Sequence, residues 1–135
     1  MTDAHRLLLD PAPRSVATGR HWAVREAALA HATPEAARTV ELLTSEILTN
    51  AVVHSRPLRR IAVTAECRDG CVRVAVTDPD PTLPLVRPRR ADRPGGNGMR
   101  IVAQLASRWG IDLHPGAGKT VWFETPIVPM GLRPA

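Results

Sequence analysis

The chain has 135 residues, of which 44% are hydrophobic and 23% are charged, a balance that is typical of one globular domain and excludes disorder throughout. Its net charge of +5 is carried by basic residues scattered over the whole sequence. The sequence has only three Trp and one Phe, so base-stacking aromatics between the basic residues are missing. A nucleic-acid-binding domain is therefore disfavoured.

Membrane and disulfide frameworks are also disfavoured. The run of large apolar residues near the N-terminus, 7–9, is shorter than a signal-peptide core, and no later stretch is long enough to span a bilayer. Two cysteines are too few for a disulfide framework. We expect a cytoplasmic protein that forms one domain over 1–135.

The first third of the chain predicts one strand and two helices. A short strand is expected at 6–9, where two following prolines end it, and a helix is expected at 15–30 with Ser15 as its N-cap. The second helix, 34–54, has the clearest signals. Thr33 can cap it, a proline occupies its first position, and apolar residues recur at helical spacing.

Two alternating runs after residue 60 predict a β-hairpin around Asp69-Gly70. With these two residues as the loop, Cys67 lies opposite Val72 and the apolar side chains share one face. A slip of one residue would mix the faces, so this register is favoured. Cys67 then points into the core and Cys71 points outward, which argues against a disulfide between them.

The rest of the chain predicts a loop, a helix and two strands. The segment 79–94 is rich in proline and arginine and predicts an irregular loop, which 95–98, Gly-Gly-Asn-Gly, closes. A third helix begins near Met99, and strands follow at 109–113 and 120–125. The side chains expected on the buried side of this helix are Val102, Leu105, Ala106 and Trp109.

These elements do not alternate regularly between strand and helix. Helices combined with hairpin-connected strands predict an α+β fold, a two-layer sandwich in which the helices pack on one face of a mixed, mostly antiparallel sheet.

The second helix carries three polar residues at intervals of four: Glu46, Asn50 and His54. They therefore share one face of the helix. The amide oxygen of Asn50 suits Mg²⁺, and the Glu46 carboxylate can accept a proton from an attacking hydroxyl group. Taken alone, the solvated face of an amphipathic helix is the better interpretation.

Asp78 ends the second hairpin strand, directly before Pro79. A carboxylate there can accept a hydrogen bond from an exocyclic amino group and so distinguish adenine from guanine. A turn-initiating aspartate is an equally good explanation of this residue alone.

Two further segments carry residues that could contact a bound nucleotide. The glycines of 95–98 precede a helix, where backbone N–H groups favour phosphate oxygens, although most short glycine runs are simple turns. Lys119 and Thr120 begin the last strand, where they either contact a nucleotide or belong to a hairpin turn with a solvent-facing lysine. The residues alone leave both alternatives open.

Together, four segments in this order resemble the nucleotide-binding boxes of the Bergerat-fold superfamily of gyrase-type, chaperone and sensor-histidine-kinase ATPases. They are 41–54, 74–78, 95–102 and 118–123. The greatest similarity is to the branch of anti-sigma-factor serine kinases. The resemblance covers 15–125, nearly the whole chain.

The resemblance implies ATP or ADP with Mg²⁺ as cofactors. It assigns the general base to Glu46, the Mg²⁺ ligand to Asn50, recognition of the adenine amino group to Asp78, and a mobile ATP lid to 79–97. The residues expected to contact the nucleotide are Asn50, His54, Asp78, Gly96, Asn97, Gly98, Met99, Lys119 and Thr120. The implied partners are a sigma factor and an anti-sigma-factor antagonist protein, together with a second copy of the chain in a homodimer.

One segment departs from the pattern of the superfamily. Residues 78–82 read Asp-Pro-Asp-Pro-Thr, so both glycines expected after Asp78 are missing. The expected function is a serine/threonine kinase that phosphorylates an antagonist protein. The alternative is a nucleotide-binding regulatory module without phosphotransfer. The altered segment favours that module, whereas the presence of Glu46 favours the kinase; a basic nucleic-acid-binding domain ranks third.

Overall fold

A computed structural model of the protein describes residues 4–54, 59–79 and 98–128. Its elements, in chain order, are β1 (Ala4–Leu9), α1 (Arg14–Leu29), α2 (Pro34–His54), β2 (Ile61–Arg68), β3 (Cys71–Asp78), α3 (Gly98–Leu105), β4 (Arg108–His114) and β5 (Gly118–Pro126). The predicted loop and lid lie outside the described residues, apart from Pro79.

The five strands form one sheet in the order β1-β2-β3-β5-β4, and the described helices pack on one of its faces. The predicted α+β two-layer sandwich is therefore confirmed. The sheet was expected to be mixed, but each of its four strand pairings is antiparallel. Hairpin turns join β2 to β3 and β4 to β5, and the α1–α2 pair returns the chain beside β1, so these three connections reverse the chain direction. In contrast, β3 and β4 run in the same direction on either side of β5.

The hairpin of β2 and β3 has the predicted register, with Cys67 opposite Val72. Asp69 and Gly70 form its turn, and both have positive φ, 54° and 75°. This conformation matches the twist of the two strands and favours an Asp-Gly pair. Cys71 lies opposite Arg68, one position away from Cys67, so the two cysteine side chains are on opposite faces and form no disulfide.

The helix starts agree with the sequence for α2 and differ for α1. The Thr33 Oγ1 accepts a hydrogen bond of 3.1 Å from the Ala36 backbone N–H, as expected of an N-cap. Ser15 was predicted to cap α1, which was wrong. The helix already begins at Arg14 after Pro13, which has helical dihedral angles and no side-chain cap, and Ser15 is buried in the first turn.

The core lies between the helices and β2, β3 and β5. Its largest fully buried side chains include Leu43 and Ile47 of α2 and Phe123 of β5. Leu105 was predicted to be buried but is 50% exposed. It is the last residue of the two-turn α3, rotated by roughly 240° from Met99, which is in the core.

The other residues predicted on the buried side of α3 have different outcomes. Val102 is fully buried, and Ala106 packs partly buried against the core after the helix has ended. Trp109 also packs partly buried against the core, but it lies in β4. None of the described helices combines the length and apolar character that crossing a membrane requires.

Thr44 supplies a test of the core. Its side chain is completely buried, and its Oγ1 has no hydrogen-bond partner among the described residues. We expect Thr44→Val to raise the free energy of unfolding by about 1 kcal/mol, because the substitution keeps the shape and removes an unsatisfied hydroxyl group. Urea denaturation measures the change. In the control Thr39→Val, the lost hydroxyl donates to the Glu35 carbonyl at 3.3 Å, so no gain is expected. A loss of stability in Thr44→Val would contradict the packing described for this helix.

Candidate functional site

The direction of α2 follows from the contacts at its start. The backbone N–H of Thr33 donates to the Ile127 carbonyl at 3.0 Å, and the N–H of Ile127 donates to the Gly70 carbonyl at 2.8 Å. Gly70 is in the β2–β3 turn, so α2 begins at the end of the sheet where β3 starts. It then runs over β3 and β5, which it contacts, toward the opposite end of the sheet.

The lengths of the two elements place Asn50 level with Asp78. From Pro34 to Asn50 the helix advances about 24 Å, at the usual rise per residue. From Cys71 to Asp78 the strand advances about 23 Å. The acid and amide of α2 therefore reach the end of the sheet where β3 ends.

The start of α3 points to this same end. After α3, the backbone N–H of Ser107 donates to the Glu124 carbonyl at 2.9 Å, near the far end of β5. The helix thus runs toward that far end, and Gly98, its first residue, lies toward the Asp78 end. The end of β3, the start of β5, the start of α3 and the last turns of α2 together define the candidate site.

Asp78 and Lys119 form a buried ion pair in this site. They are opposite each other in the β3–β5 register, and the Lys119 Nζ donates to the Asp78 Oδ1 at 3.2 Å. The residues are 2% and 3% exposed. Buried charges of this kind persist where a partner of opposite charge compensates for the lost hydration. Lys119 is therefore not the solvent-facing lysine of an ordinary hairpin turn.

Gly118 fixes the start of β5 against the end of β3. Its φ is +96°, and a Cβ on it would overlap the carbonyl oxygen of Asp78 and lie 2.6 Å from the Cα of Pro79. Only glycine allows this backbone contact. The contact holds Lys119, the next residue, at a fixed position beside Asp78.

The three polar residues of α2 differ in exposure. Glu46 and Asn50 are half-buried, and His54, in the last turn, is exposed. Burial raises the pKa of the Glu46 carboxyl group above its ordinary value, because it penalises the charged form. A carboxylate with a raised pKa is a better proton acceptor near neutral pH.

The raised pKa of Glu46 predicts how stability depends on pH. The folded state favours the neutral form of the Glu46 carboxyl group. The resulting contribution to stability is present at a pH below the ordinary pKa of 4.5, and it is lost as the pH rises through the higher pKa of the folded state. We expect Glu46→Gln to melt a few degrees above wild type at pH 7 and at nearly the same temperature at pH 4. Calorimetric melting curves test this. Glu41→Gln, at an exposed position of α2, is the control and should change little at either pH. A Glu46→Gln protein less stable than wild type at pH 7 would contradict the effect.

Thr120 does not join Asp78 and Lys119. Its hydroxyl is 2.7 Å from the Thr77 Oγ1 and 2.7 Å from the His114 Nε2. Strand alternation places these three side chains on the sheet face opposite to the helices. The Thr120 hydroxyl group therefore points away from the candidate site, which lies on the helix side of the sheet.

The glycine segment is only partly described. Gly98 begins α3, whereas Gly96 and Asn97 lie outside the described residues. Met99 is 2% exposed and belongs to the hydrophobic core. Its side chain therefore packs inside the domain, next to the first residue of α3.

Sequence reasoning missed the pairing of Lys119 with Asp78. The signal was present, because Lys119 alternates in phase with Val121 and Phe123, both buried, and a lysine in that phase needs an anion opposite it. The Thr77–Thr120–His114 hydrogen bonds were missed as well. They depend on the pairing of β5 with both β3 and β4, which no local pattern reveals.

The chain belongs to the histidine kinase-like ATPase domain family, because residues 9–125 match the model of that family. This confirms the predicted superfamily and agrees with the Bergerat-type sandwich. Domains of this family bind ATP, generally with Mg²⁺. A search of curated proteins gives no match.

Comparison with solved structures shows the same fold. The crystal structure of the RsbU and RsbW domains of Rv1364c from Mycobacterium tuberculosis superimposes with a TM-score of 0.69 at 22% identity. The match covers 92% of this chain and 32% of that chain, so the present chain spans about a third of its length.

Proposed function

We propose that the chain binds Mg-ATP at the site formed by α2, β3, α3 and β5, and transfers the γ-phosphate to a serine or threonine of a partner protein. The observation that supports this proposal is the buried Asp78–Lys119 pair at the end of β3, and the length of α2 is consistent with Glu46 and Asn50 reaching the same end of the sheet. Membership of an ATPase family supports the choice of ATP.

The residues present fit this cofactor. Asn50 is half-buried and offers a neutral oxygen, which suits an Mg²⁺ ion that keeps phosphate and water oxygens as its other ligands. Among residues 4–54, 59–79 and 98–128, no cluster of three His, Cys, Asp or Glu side chains is arranged to hold a metal. A metal that arrives with the nucleotide agrees with this donor set. The backbone N–H groups at the start of α3 suit phosphate oxygens.

Each residue then has a separate role. Bound ATP supplies the phosphoryl group. Glu46 accepts the proton of the substrate hydroxyl group, and the oxygen of that hydroxyl group bonds to the γ-phosphorus. The bond between the γ-phosphorus and the β–γ bridging oxygen breaks, which gives phosphoserine or phosphothreonine and ADP. Asp78 accepts a hydrogen bond from the adenine amino group. The segment 79–97 is the proposed ATP lid, and His54, Gly96, Asn97 and Gly98 are further proposed contacts.

The proposed partners are a sigma factor and an antagonist protein that carries the phosphorylated residue, within the cytoplasm and with the chain as a homodimer. The resemblance to anti-sigma-factor kinases supports them. The shared fold with a structure named for its RsbW domain agrees with this assignment.

A second candidate is a regulatory module that binds the nucleotide without transferring phosphate. Pro79 favours it, because this residue directly follows Asp78 and its backbone packs against Gly118, where the superfamily has a more flexible segment. In this case Glu46 has no catalytic role.

Incubation with labelled Mg-ATP and candidate sigma-antagonist proteins separates the two functions. In the kinase, Glu46→Gln lowers transfer by about 10²–10⁴-fold and leaves ATP affinity nearly unchanged, which is the usual effect of losing a general base. Glu41→Gln, at an exposed position of the same helix, is the matched control. Undiminished transfer by Glu46→Gln would contradict the assignment of the base, and tight ATP binding with no transfer by wild type would support the second candidate.

A further inference from the structure

Lys119 is the single lysine of the sequence, and it is buried. Lysine is almost never fully buried unless it is paired. Its side chain is 4% exposed, and that of its partner, Asp78, is 1% exposed. A charged pair this deep in the sandwich costs hydration energy, so a local apolar pair would serve stability equally well. The pair therefore invites a functional explanation.

The position of the pair is set by the sheet. Asp78 and Lys119 extend the inward-facing rows of β3 and β5, directly after the opposed pair Val76 and Val121. Gly118 packs against the backbone of Asp78 and holds the two strands close together. The ammonium group thus meets the Asp78 Oδ1 without a rearrangement of either strand.

We propose that Lys119 is a positioning residue that keeps Asp78 as an oriented carboxylate, and that it thereby makes the site select 6-amino purines over 6-oxo purines. This inference rests on the proposed nucleotide site. It adds to that site a residue that does not have to contact the nucleotide itself.

The selection follows from hydrogen-bond chemistry. A carboxylate only accepts hydrogen bonds, so it suits the 6-amino donor of ATP and repels the 6-oxo acceptor of ITP. A carboxylate that loses the cation beside it can turn and admit a water molecule into the space left by the ammonium group. That water supplies a donor that a 6-oxo group can use. Removal of the ammonium is therefore expected to weaken discrimination between the two bases.

The test is calorimetric titration of the nucleotide-free chain with ATP and ITP, which have the same ribose and triphosphate and differ at the purine edge. Wild type is expected to favour ATP by about 100-fold or more, as sites built around one polar contact do. Lys119→Met is expected to reduce this preference below about tenfold, and Lys119→Arg, which keeps the charge, is expected to restore most of it. Arg38→Met, at an exposed position about 18 Å along α2 from Asn50, is the control.

The ratio of two affinities separates this role from a purely structural one, because a loosened site weakens both nucleotides together. Melting curves without nucleotide show whether each variant is folded. If Lys119→Met does not fold, Lys119→Gln replaces it, since its amide is neutral and still donates a hydrogen bond. A wild-type preference for ATP that persists in the neutral variant would overturn the role of Lys119 and leave the proposed nucleotide site intact. Equal affinity of wild type for ATP and ITP would also overturn it, whereas binding of neither nucleotide would reject the proposed function as well.

Discussion

Asn50→Ala is expected to weaken the binding of Mg-ATP by about 100-fold, because loss of a direct metal ligand costs at least as much as loss of the residues that support one. In EDTA, the affinities of the variant and of wild type for ATP are expected to be nearly equal. Titration calorimetry with and without Mg²⁺ measures both. The dependence on the metal distinguishes a lost ligand from a damaged pocket.

Arg38→Ala is the control for this experiment, because it changes an exposed residue three turns earlier on the same helix. It should bind Mg-ATP as wild type does. An Asn50→Ala protein with unchanged affinity, or with an equal loss in EDTA, would show that the amide does not hold the metal.

Removing one member of the buried ion pair has the largest expected effect on stability. Asp78→Val is expected to lower the free energy of unfolding by roughly 3 kcal/mol, because the Lys119 ammonium stays buried without the carboxylate that faces it, and Lys119→Met is expected to lower it by a similar amount. Replacing both residues, as Asp78→Val with Lys119→Met, is expected to bring stability back to within about 1 kcal/mol of wild type, since apolar side chains suit the inward rows of β3 and β5.

Denaturation in guanidinium chloride measures the free energies of unfolding of Asp78→Val, Lys119→Met and the double variant, which together with wild type give the coupling between the two positions. An ion pair with one exposed partner supplies the comparison: Arg108, whose side chain is 73% exposed, lies 3.6 Å from Glu124, which Arg73 also contacts at 3.3 Å. Arg108→Ala is expected to cost less than about 1 kcal/mol. If the costs of the two single substitutions at Asp78 and Lys119 simply add in the double variant, the pair is not coupled in the way described.

Local signals in the sequence were enough to predict much of this fold. Thr33 capped α2 as expected, because the Thr-Pro-Glu start is a local feature that needs no tertiary context. The register of the β2–β3 hairpin was also predictable, since a two-residue Asp-Gly turn allows one alignment that keeps the apolar face intact.

Two predictions were wrong where tertiary packing, and not the local sequence, determines where a helix begins or ends. Ser15 has the chemistry of a cap, but the turn after Pro13 started α1 one residue earlier and buried that serine. Leu105 has the right spacing for a longer helix, but α3 ends there and leaves it half exposed.

The candidate site was predictable as a set of residues but not as an arrangement. Glu46, Asn50 and Asp78 were found from spacing and resemblance, whereas the partner of Asp78 required the register between β3 and β5, which are far apart in sequence. The phase of Lys119 with Val121 and Phe123 was a signal for the inward face of β5, but the prediction left Lys119 and Thr120 undecided between contact with a nucleotide and an ordinary turn. Pairing of the strands placed the lysine inside and the threonine outside.

Titration of the wild-type chain with ATP in the presence of Mg²⁺ tests the central claim most directly, since both candidate functions require a nucleotide at this end of the sheet. We expect saturable binding of one ATP per chain that weakens when Mg²⁺ is removed by EDTA. Absence of saturable binding at millimolar ATP would contradict it.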